Sequence, residues 1–396
     1  MISAGFLLDQ LSKRGVSEIV GVPCSYLTPV INMVATDPRV RYVRASQEGE
    51  AVASATGSWL AGATTCVIAQ NSGLGNMVNP LTSLNCPARI PVPILVTWRG
   101  EPGRPDEPQH ELMGDITLEL LSLMRIRNTV LPSESASVEE TLRQGWEEME
   151  GSSLPFAFVL RDGTVAAEGL SEPPPPRFPA PHTVARDTAV DRPTRFAALN
   201  ALLETLPEHA AVISTTGKTS RELFTITDRP QHFYLVGAMG SASAVGLGVS
   251  RHTAKPVVVV DGDAAALMRL GTFAAIGAHA GPGLTHVLLD NGVHDSTGGQ
   301  LSLSAYADFP AIAVACGYRH VYDCRSTSEF VSAMRASLRE TGPSLVHLKI
   351  RPGSLPKLAR PDVHPQDVAH RFKEFLAHGV ESSRTRNDLI IERNSP

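Results

Sequence analysis

Two apolar stretches in the second half of the 396-residue sequence lead to side chains that could bind a metal ion. The stretch 257–260 leads to Asp263, and the stretch 286–289 leads to Asn291. Carboxylate and amide oxygens are hard ligands of the kind that Mg²⁺ takes alongside phosphate. Because the spacing is about one β-α-β unit of roughly 30 residues, neighbouring strand ends would present both side chains to one ion. An Asp helix cap and an ordinary Asp-Asn-Gly turn explain the same residues without a metal.

A glutamate at the start of a helical pattern is the corresponding candidate in the first half. Glu48 follows the strand-like stretch 40–43 and opens the segment EGEAVASATG, which ends at Gly57. The positive end of a helix dipole favours a carboxylate here, as it does for Glu50, to which we assign no role. Met239 is an apolar candidate in a Gly-Ala-Met-Gly segment after another strand-like stretch, and a core methionine is the structural alternative.

These segments, in the order in which they follow one another along the chain, are similar to the cofactor motifs of thiamine-diphosphate enzymes. The resemblance implies that Asp263 and Asn291 bind Mg²⁺, with the backbone carbonyl of Val293 as the third protein ligand. It also implies that Glu48 hydrogen-bonds the aminopyrimidine ring and that Met239 props the cofactor in a bent conformation. The cofactor-binding residues that it implies are Glu48, Gly237, Met239, Gly262, Asp263, Ala264 and Asn291.

Among these enzymes, the chain resembles the phosphonopyruvate decarboxylases along nearly its whole length. The stretches that carry this resemblance are 21–25, 70–73, 98–103, 106–110, 215–222 and 294–300. The resemblance implies decarboxylation of 3-phosphonopyruvate to phosphonoacetaldehyde and CO₂, in phosphonate or antibiotic biosynthesis. Sulfopyruvate decarboxylases are relatives of this family, so sulfopyruvate or another short 2-keto acid stays open as the substrate.

A doubly charged phosphonate needs fixed cationic or hydrogen-bonding partners. The substrate candidates are Ser25, Arg99, His110, Lys218 and the turn 296–299. Each has a structural alternative; Ser25 could cap a helix and Arg99 could form a loop salt bridge. His294 and His110 are candidate proton donors because imidazole titrates near neutrality, and we prefer His294 because it is close to the metal motif.

Strand-like and helical patterns alternate twice along the chain, which predicts two α/β domains with parallel sheets flanked by helices. In the first half we predict strands at 18–22, 40–43, 65–69, 93–96 and 156–160, and helices at 2–11, 48–60 and 117–123. In the second half we predict strands at 211–214, 233–236, 257–260, 286–289 and 345–350, and helices at 242–249, 264–278 and 328–339. The domain prediction is a pyrimidine-binding domain (1–170), a proline-rich linker (171–194), a diphosphate- and Mg²⁺-binding domain (195–380) and a polar tail (381–396), with no central third domain.

Composition narrows the classes of function. The chain has 35 Lys and Arg against 40 Asp and Glu, and this net charge of -5 argues against a nucleic-acid partner. No apolar run reaches the roughly 18 to 20 residues of a membrane span, so we expect a cytoplasmic protein with no membrane partner. The five cysteines include no C-x-x-C pair, which argues against structural zinc.

The spacing of the glycines argues against two kinds of nucleotide-binding site. A P-loop would need glycine where the chain has Val212, and two possible dinucleotide-binding glycine patterns end in Val78 and Arg251 instead. An inactive scaffold would be expected to have lost Glu48 or Asp263, and both are present.

The resemblance implies a homo-oligomer, at least a dimer, in which Glu48 and Asp263 of one active site come from different chains.

Overall fold

Two parallel β-sheets with helices on their faces organise the chain. The computed structural model describes residues 1–169, 182–183, 192–296, 299–359 and 361–378. We call residues 1–169 the N-terminal half and residues 192–378 the C-terminal half. The predicted α/β class with parallel sheets is confirmed. Apart from 182–183 and 192–194, the predicted linker lies outside the described residues, as do the tail 381–396 and positions 297–298 of the candidate turn.

The N-terminal half carries a six-stranded sheet of order β2-β1-β3-β4-β6-β5. Its strands are β1 (Val16–Gly21), β2 (Arg41–Arg44), β3 (Thr64–Gln70), β4 (Pro93–Thr97), β5 (Arg127–Val130) and β6 (Phe156–Leu160). Its helices are α1 (Ala4–Ser12), α2 (Thr28–Val34), α3 (Glu48–Leu60), α4 (Leu74–Pro80), α5 (Cys86–Ala88), α6 (Glu111–Leu123) and α7 (Ser135–Ser152).

The second sheet has seven strands in the order β7-β14-β15-β11-β10-β8-β9. The strands from here to the end of the chain are β7 (His182–Thr183), β8 (Ala211–Ser214), β9 (His232–Tyr234), β10 (Val257–Gly262), β11 (Leu284–Asp290), β12 (Val293–His294), β13 (Gln300–Leu301), β14 (His320–Cys324) and β15 (Ser344–Lys349). The helices are α8 (Arg195–Thr205), α9 (Lys218–Ile226), α10 (Ala242–Ser250), α11 (Asp263–Met268), α12 (Thr272–His279), α13 (Phe309–Ala315), α14 (Thr327–Ser337) and α15 (Pro365–Ala377). Strands β12 and β13 form a separate antiparallel pair beside the end of β11.

Local sequence explains where these elements begin. The four valines of β10 are fully buried, as expected for a central parallel strand that is covered on both faces. The Thr194 side chain caps α8 by accepting a hydrogen bond from the backbone N–H of Ala197, and Ser326 caps α14 in the same way through Glu329.

The sequence analysis missed two strands and wrongly predicted one continuous helix, and each difference has a physical reason. Strands β5 and β14 were not predicted because their sequences, RNTV and HVYDC, are too polar to stand out as apolar runs. The helix predicted at 264–278 is two helices, α11 and α12, separated by residues 269–271. At this break Gly271 approaches Ser46 of the N-terminal half so closely that a Cβ on the glycine would lie 2.4 Å from the serine Oγ.

In the described part of the chain, no helix is long and apolar enough to cross a membrane.

Helices α3 and α10 cross at the contact between the two halves. A Cβ on Gly57 would lie 2.0 Å from the carbonyl oxygen of Val245, and a Cβ on Gly248 would lie 2.0 Å from the carbonyl oxygen of Ser54. Because no side chain fits at either glycine, the two backbones approach each other directly. The Glu50 carboxylate, at the start of α3, is buried and accepts a hydrogen bond from Thr272 at the start of α12.

A buried ion pair reinforces this contact. Glu18 in β1 is fully buried, and the guanidinium of Arg251, which follows α10, donates to its Oε2 at 2.8 Å and also to its Oε1. The same guanidinium donates to Ser54 of α3. Burial alone would raise the pKa of Glu18, but His252 and Arg251 outweigh it and lower the pKa to about 2. The pair therefore joins the two halves as charged groups.

We expect Glu18→Gln to lower the free energy of unfolding by about 3–5 kcal/mol at pH 7, because it leaves the Arg251 charge buried without a counter-charge. Urea unfolding measures this loss. The pKa of Glu18 is lower in the folded chain than in the unfolded one. The difference in free energy of unfolding between the native protein and the variant is therefore fully present above pH ~4.5 and declines as the pH falls towards 2. The control is Glu140→Gln in the exposed pair with Arg143, which should change the free energy of unfolding far less, because solvent screens that pair. Equal losses of unfolding free energy in the two variants would contradict the stabilising role of the buried pair.

Candidate active site

A cavity of about 260 Å³ opens at the carboxyl ends of β8, β10 and β11, where open parallel sheets bind their ligands. Its lining consists of Arg195, 215–219, Met239, 262–265, Leu289, Asn291 and 293–296. Among the described residues, none from the N-terminal half lines it. All the described residues that line this cavity therefore belong to the C-terminal half.

The predicted metal ligands Asp263, Asn291 and Val293 all line this cavity. Asp263 begins α11, is almost fully buried, and accepts a hydrogen bond from the Ser302 hydroxyl. Burial raises the pKa of Asp263, and the nearby charge of Asp290 adds to this effect. A carboxylate, an amide oxygen and a backbone carbonyl are hard oxygen donors, so this set fits Mg²⁺.

The loop that carries Asn291 is held at both ends by carboxylates, one buried and one nearly buried, that the sequence analysis did not identify as site residues. Before it, Asp290 accepts hydrogen bonds from Ser304, His347 and Lys349, and these contacts outweigh its burial to hold its pKa well below the usual range. After it, Asp295 accepts a hydrogen bond from the Asn291 amide at 2.7 Å. The positions of the two aspartates beside Asn291 could have drawn notice, but their partners are too distant in sequence to be predicted.

Other predicted cofactor contacts divide between the cavity and its surroundings. Gly262, Ala264 and Met239 line the cavity, whereas Gly237 lies against Ser83 of the N-terminal half. Another lining residue, not singled out for the cofactor from the sequence, is Thr215. Its buried Oγ1 has no hydrogen-bond partner among the described residues. A buried hydroxyl without a partner costs free energy, which a polar ligand in the cavity would recover.

Glu48 begins α3 as predicted and is half-buried, but it does not line the cavity. Its Oε2 accepts a hydrogen bond from the Asn76 amide at 2.7 Å, and its side chain lies against Gly73, where a Cβ would be 2.4 Å from the glutamate Cγ. The carboxylate of its neighbour Glu50 instead accepts hydrogen bonds from Ser46 and Thr272 at the contact between the halves.

The substrate candidates fall into two groups. Lys218, the first residue of α9, lines the cavity, as does the proton-donor candidate His294. Ser25, Arg99 and His110 lie in the N-terminal half and do not line it. Arg99 forms a salt bridge with Asp106 in the loop after β4, and its role as a substrate contact stays a prediction.

Contacts within the N-terminal half hold the Arg99 guanidinium in place. It donates two hydrogen bonds to Asp106, at 2.8 Å and 2.5 Å, and one to the Ser25 hydroxyl at 2.8 Å. It also lies over the ring of Tyr26, 4.6 Å from the centroid. His110 is buried, and its Nε2 is 3.5 Å from a carboxylate oxygen of Glu107.

Comparison with known families gives two matches, one in each half. The N-terminal TPP-binding domain of thiamine pyrophosphate enzymes matches residues 3–118. The C-terminal TPP-binding domain of the same enzymes matches residues 215–348, the segment that contains most of the cavity lining.

Individual relatives give the same result. The chain is 53% identical over 383 residues to a phosphonopyruvate decarboxylase of Streptomyces viridochromogenes, with 95% of each chain covered. It is 26% identical to a sulfopyruvate decarboxylase of Methanosarcina acetivorans, with 93% of this chain and 96% of that protein covered. A putative thiamin diphosphate-dependent enzyme from Mycobacterium smegmatis shares the fold, with a TM-score of 0.68, 15% identity, and coverage of 89% of this chain and 100% of that one. The chain therefore belongs to the phosphonopyruvate decarboxylase family of thiamine pyrophosphate enzymes, a family of carboxy-lyases.

Proposed function

We propose that this protein decarboxylates 3-phosphonopyruvate to phosphonoacetaldehyde and CO₂, with thiamine diphosphate and Mg²⁺, in the biosynthesis of phosphonate natural products. The observation that carries the proposal is the 53% identity to a phosphonopyruvate decarboxylase over 95% of both chains. The expected cytoplasmic location rests on composition and stays a prediction.

The residues of the cavity fit the proposed cofactor. Asp263, Asn291 and the Val293 carbonyl would hold Mg²⁺ on the diphosphate, and the unpartnered Thr215 hydroxyl would donate to a ligand oxygen. Met239 would support the rings from the cavity wall. When bound, thiamine diphosphate supplies the nucleophilic carbon and the electron sink that decarboxylation of a 2-keto acid requires.

Glu48 would act on the aminopyrimidine ring by holding a proton in a hydrogen bond to it. Asn76 fixes the carboxylate through one oxygen and leaves the other, Oε1, for this bond. Since Glu48 does not line the cavity formed by the C-terminal half, we propose that it serves the site of another chain in a homo-oligomer. Ser25, Arg99 and His110, on the same half, would come with it as substrate contacts.

Lys218 is the proposed electrostatic partner of the phosphonate, because it brings a flexible ammonium to the cavity at the first residue of α9. His294, on the same wall, is the proposed donor of the proton that replaces CO₂ on the carbon from which it leaves. Sulfopyruvate is the alternative substrate, supported by the more distant similarity to a sulfopyruvate decarboxylase. A sulfonate has the same tetrahedral shape but carries one charge fewer than a fully ionised phosphonate.

The experiment that tests the proposal is CO₂ release by cofactor-stripped protein that is supplied with thiamine diphosphate and Mg²⁺. Phosphonopyruvate, sulfopyruvate and pyruvate are compared side by side. We expect phosphonopyruvate to be turned over far faster than the other two. Faster turnover of sulfopyruvate would establish the alternative, and cofactor binding without turnover of any of the three would refute the proposed substrate class.

We expect Glu48→Gln to lower kcat by at least about 100-fold while cofactor binding is retained, because the variant cannot hold the proton and does not touch the metal ligands. Steady-state CO₂ release and calorimetric titration of thiamine diphosphate measure the two effects. The control is Glu111→Gln, another carboxylate in the first turn of a helix, which should leave kcat unchanged. Near-native turnover by Glu48→Gln would remove this residue from the mechanism.

Co-expression of Glu48→Gln with Asp263→Asn tests the proposed assembly. If the two residues of a site come from different chains, each mixed dimer holds one intact site. Random pairing then restores about a quarter of native activity, although each variant alone is inactive. Isolated mixed dimers without activity would show that each site is built within one chain.

A further inference from the structure

The amide of Asn291 has a fixed orientation. Its Nδ2 donates to Asp295 Oδ2 at 2.7 Å, and its Oδ1 accepts from the backbone N–H of Val293 at 3.1 Å. An ionised carboxylate can accept a hydrogen bond but cannot donate one, so Asp295 selects the amide nitrogen and directs the oxygen away from itself. That orientation matters in a metal ligand, because the oxygen binds a cation and the NH₂ group does not.

Asp295 is itself held by an arginine from the start of the C-terminal half. Arg195 Nη2 donates to the same Asp295 Oδ2 at 2.5 Å, and both side chains are nearly buried, with 6% and 11% of their surface exposed. A second carboxylate, Glu222 Oε1, lies 3.6 Å from Arg195 Nη1, so the guanidinium is paired on two sides. Arg195 also lines the cavity, yet it is 100 positions from Asp295 in sequence.

The pair also fastens a third segment to the metal loop. The other carboxylate oxygen of Asp295 accepts from the backbone N–H of Gly353 at 3.0 Å, and Arg195 Nη1 donates to the Gly353 carbonyl at 3.3 Å. The start of α8, the loop after β11 and the loop after β15 therefore meet at one buried ion pair. Burying two charges costs desolvation free energy, and these added hydrogen bonds offset part of that cost.

We propose that Arg195 and Asp295 are positioning residues for the metal site: their ion pair holds the Asn291 amide with its oxygen towards Mg²⁺. The inference rests on the proposed cofactor site and extends it to two residues that do not themselves bind the metal. Outer-shell partners of metal ligands typically change metal affinity by about 10- to 100-fold when they are replaced. The ion pair acts in the same way, through the orientation of the ligand it holds.

The variant Asp295→Asn tests the proposal, because it keeps the shape of the side chain and removes its charge. In the full, cofactor-stripped chain at fixed thiamine diphosphate, we expect the half-saturating Mg²⁺ concentration to rise by about 10- to 100-fold. Tryptophan fluorescence or calorimetry during the Mg²⁺ titration measures this without reference to turnover. At saturating Mg²⁺ the variant should bind as much cofactor as the native protein, which a collapsed site would not do.

Two further variants complete the test. Arg195→Lys keeps the charge but loses the two-pronged donor, so it should shift the Mg²⁺ requirement in the same direction by a smaller factor. The matched control is Asp228→Asn, which breaks a pair with Arg371 in the same half and away from the cavity, and it should leave the requirement unchanged.

The outcomes separate this inference from the proposed function. Native Mg²⁺ dependence in Asp295→Asn, or an equal shift in Asp228→Asn, would overturn the positioning role and leave the cofactor site standing. If the native chain binds thiamine diphosphate without regard to Mg²⁺, the proposed metal site fails and this inference fails with it.

Discussion

The parallel register of β10 and β11 is the constraint on which the candidate site depends. The two strands pair along their full length, from Val257 opposite Leu284 to Gly262 opposite Leu289. Because the strands end side by side, the residues that follow them reach the same cavity although they are far apart in sequence. A slip of this register would separate Asp263 from Asn291, whatever the side chains themselves could bind. The fully buried valines of β10 hold the register by fixing both faces of the strand.

Buried carboxylates recur wherever this framework has to be held in a single arrangement. Glu18 pairs with Arg251 between the halves, and Asp290 and Asp295, each with a cationic partner, lie on either side of Asn291. Such pairs contribute little net stability once their desolvation is counted, but breaking one of them is costly. Their common property is that each carboxylate joins segments that lie far apart in the chain. They specify which segments meet, whereas the apolar core supplies most of the free energy of folding.

The sequence predicted features that depend on local pattern and missed those that depend on distant contacts. The bounds of α3, β6 and β8 agree with the predicted ones because each is an uninterrupted helical or apolar pattern. Strand β5 was missed because a polar edge strand has no such pattern. The contacts of Asp263 and Asn291 with one cavity followed from their positions after strands. The pairing of Arg195 with Asp295 could not be predicted, because nothing local in either segment points to the other.

The crossing of α3 and α10 has a consequence for how such proteins can recombine during evolution. At Gly57 and Gly248, backbone meets backbone, and the guanidinium after α10 must find a carboxylate in β1. An N-terminal half can therefore accept a foreign C-terminal half only if the incoming helix also has glycine at the crossing and arginine just beyond it. Exchange of the halves as intact modules is restricted by these few positions rather than by overall similarity. A chimera would have to form this contact between its halves before its active-site residues could have any effect on fitness.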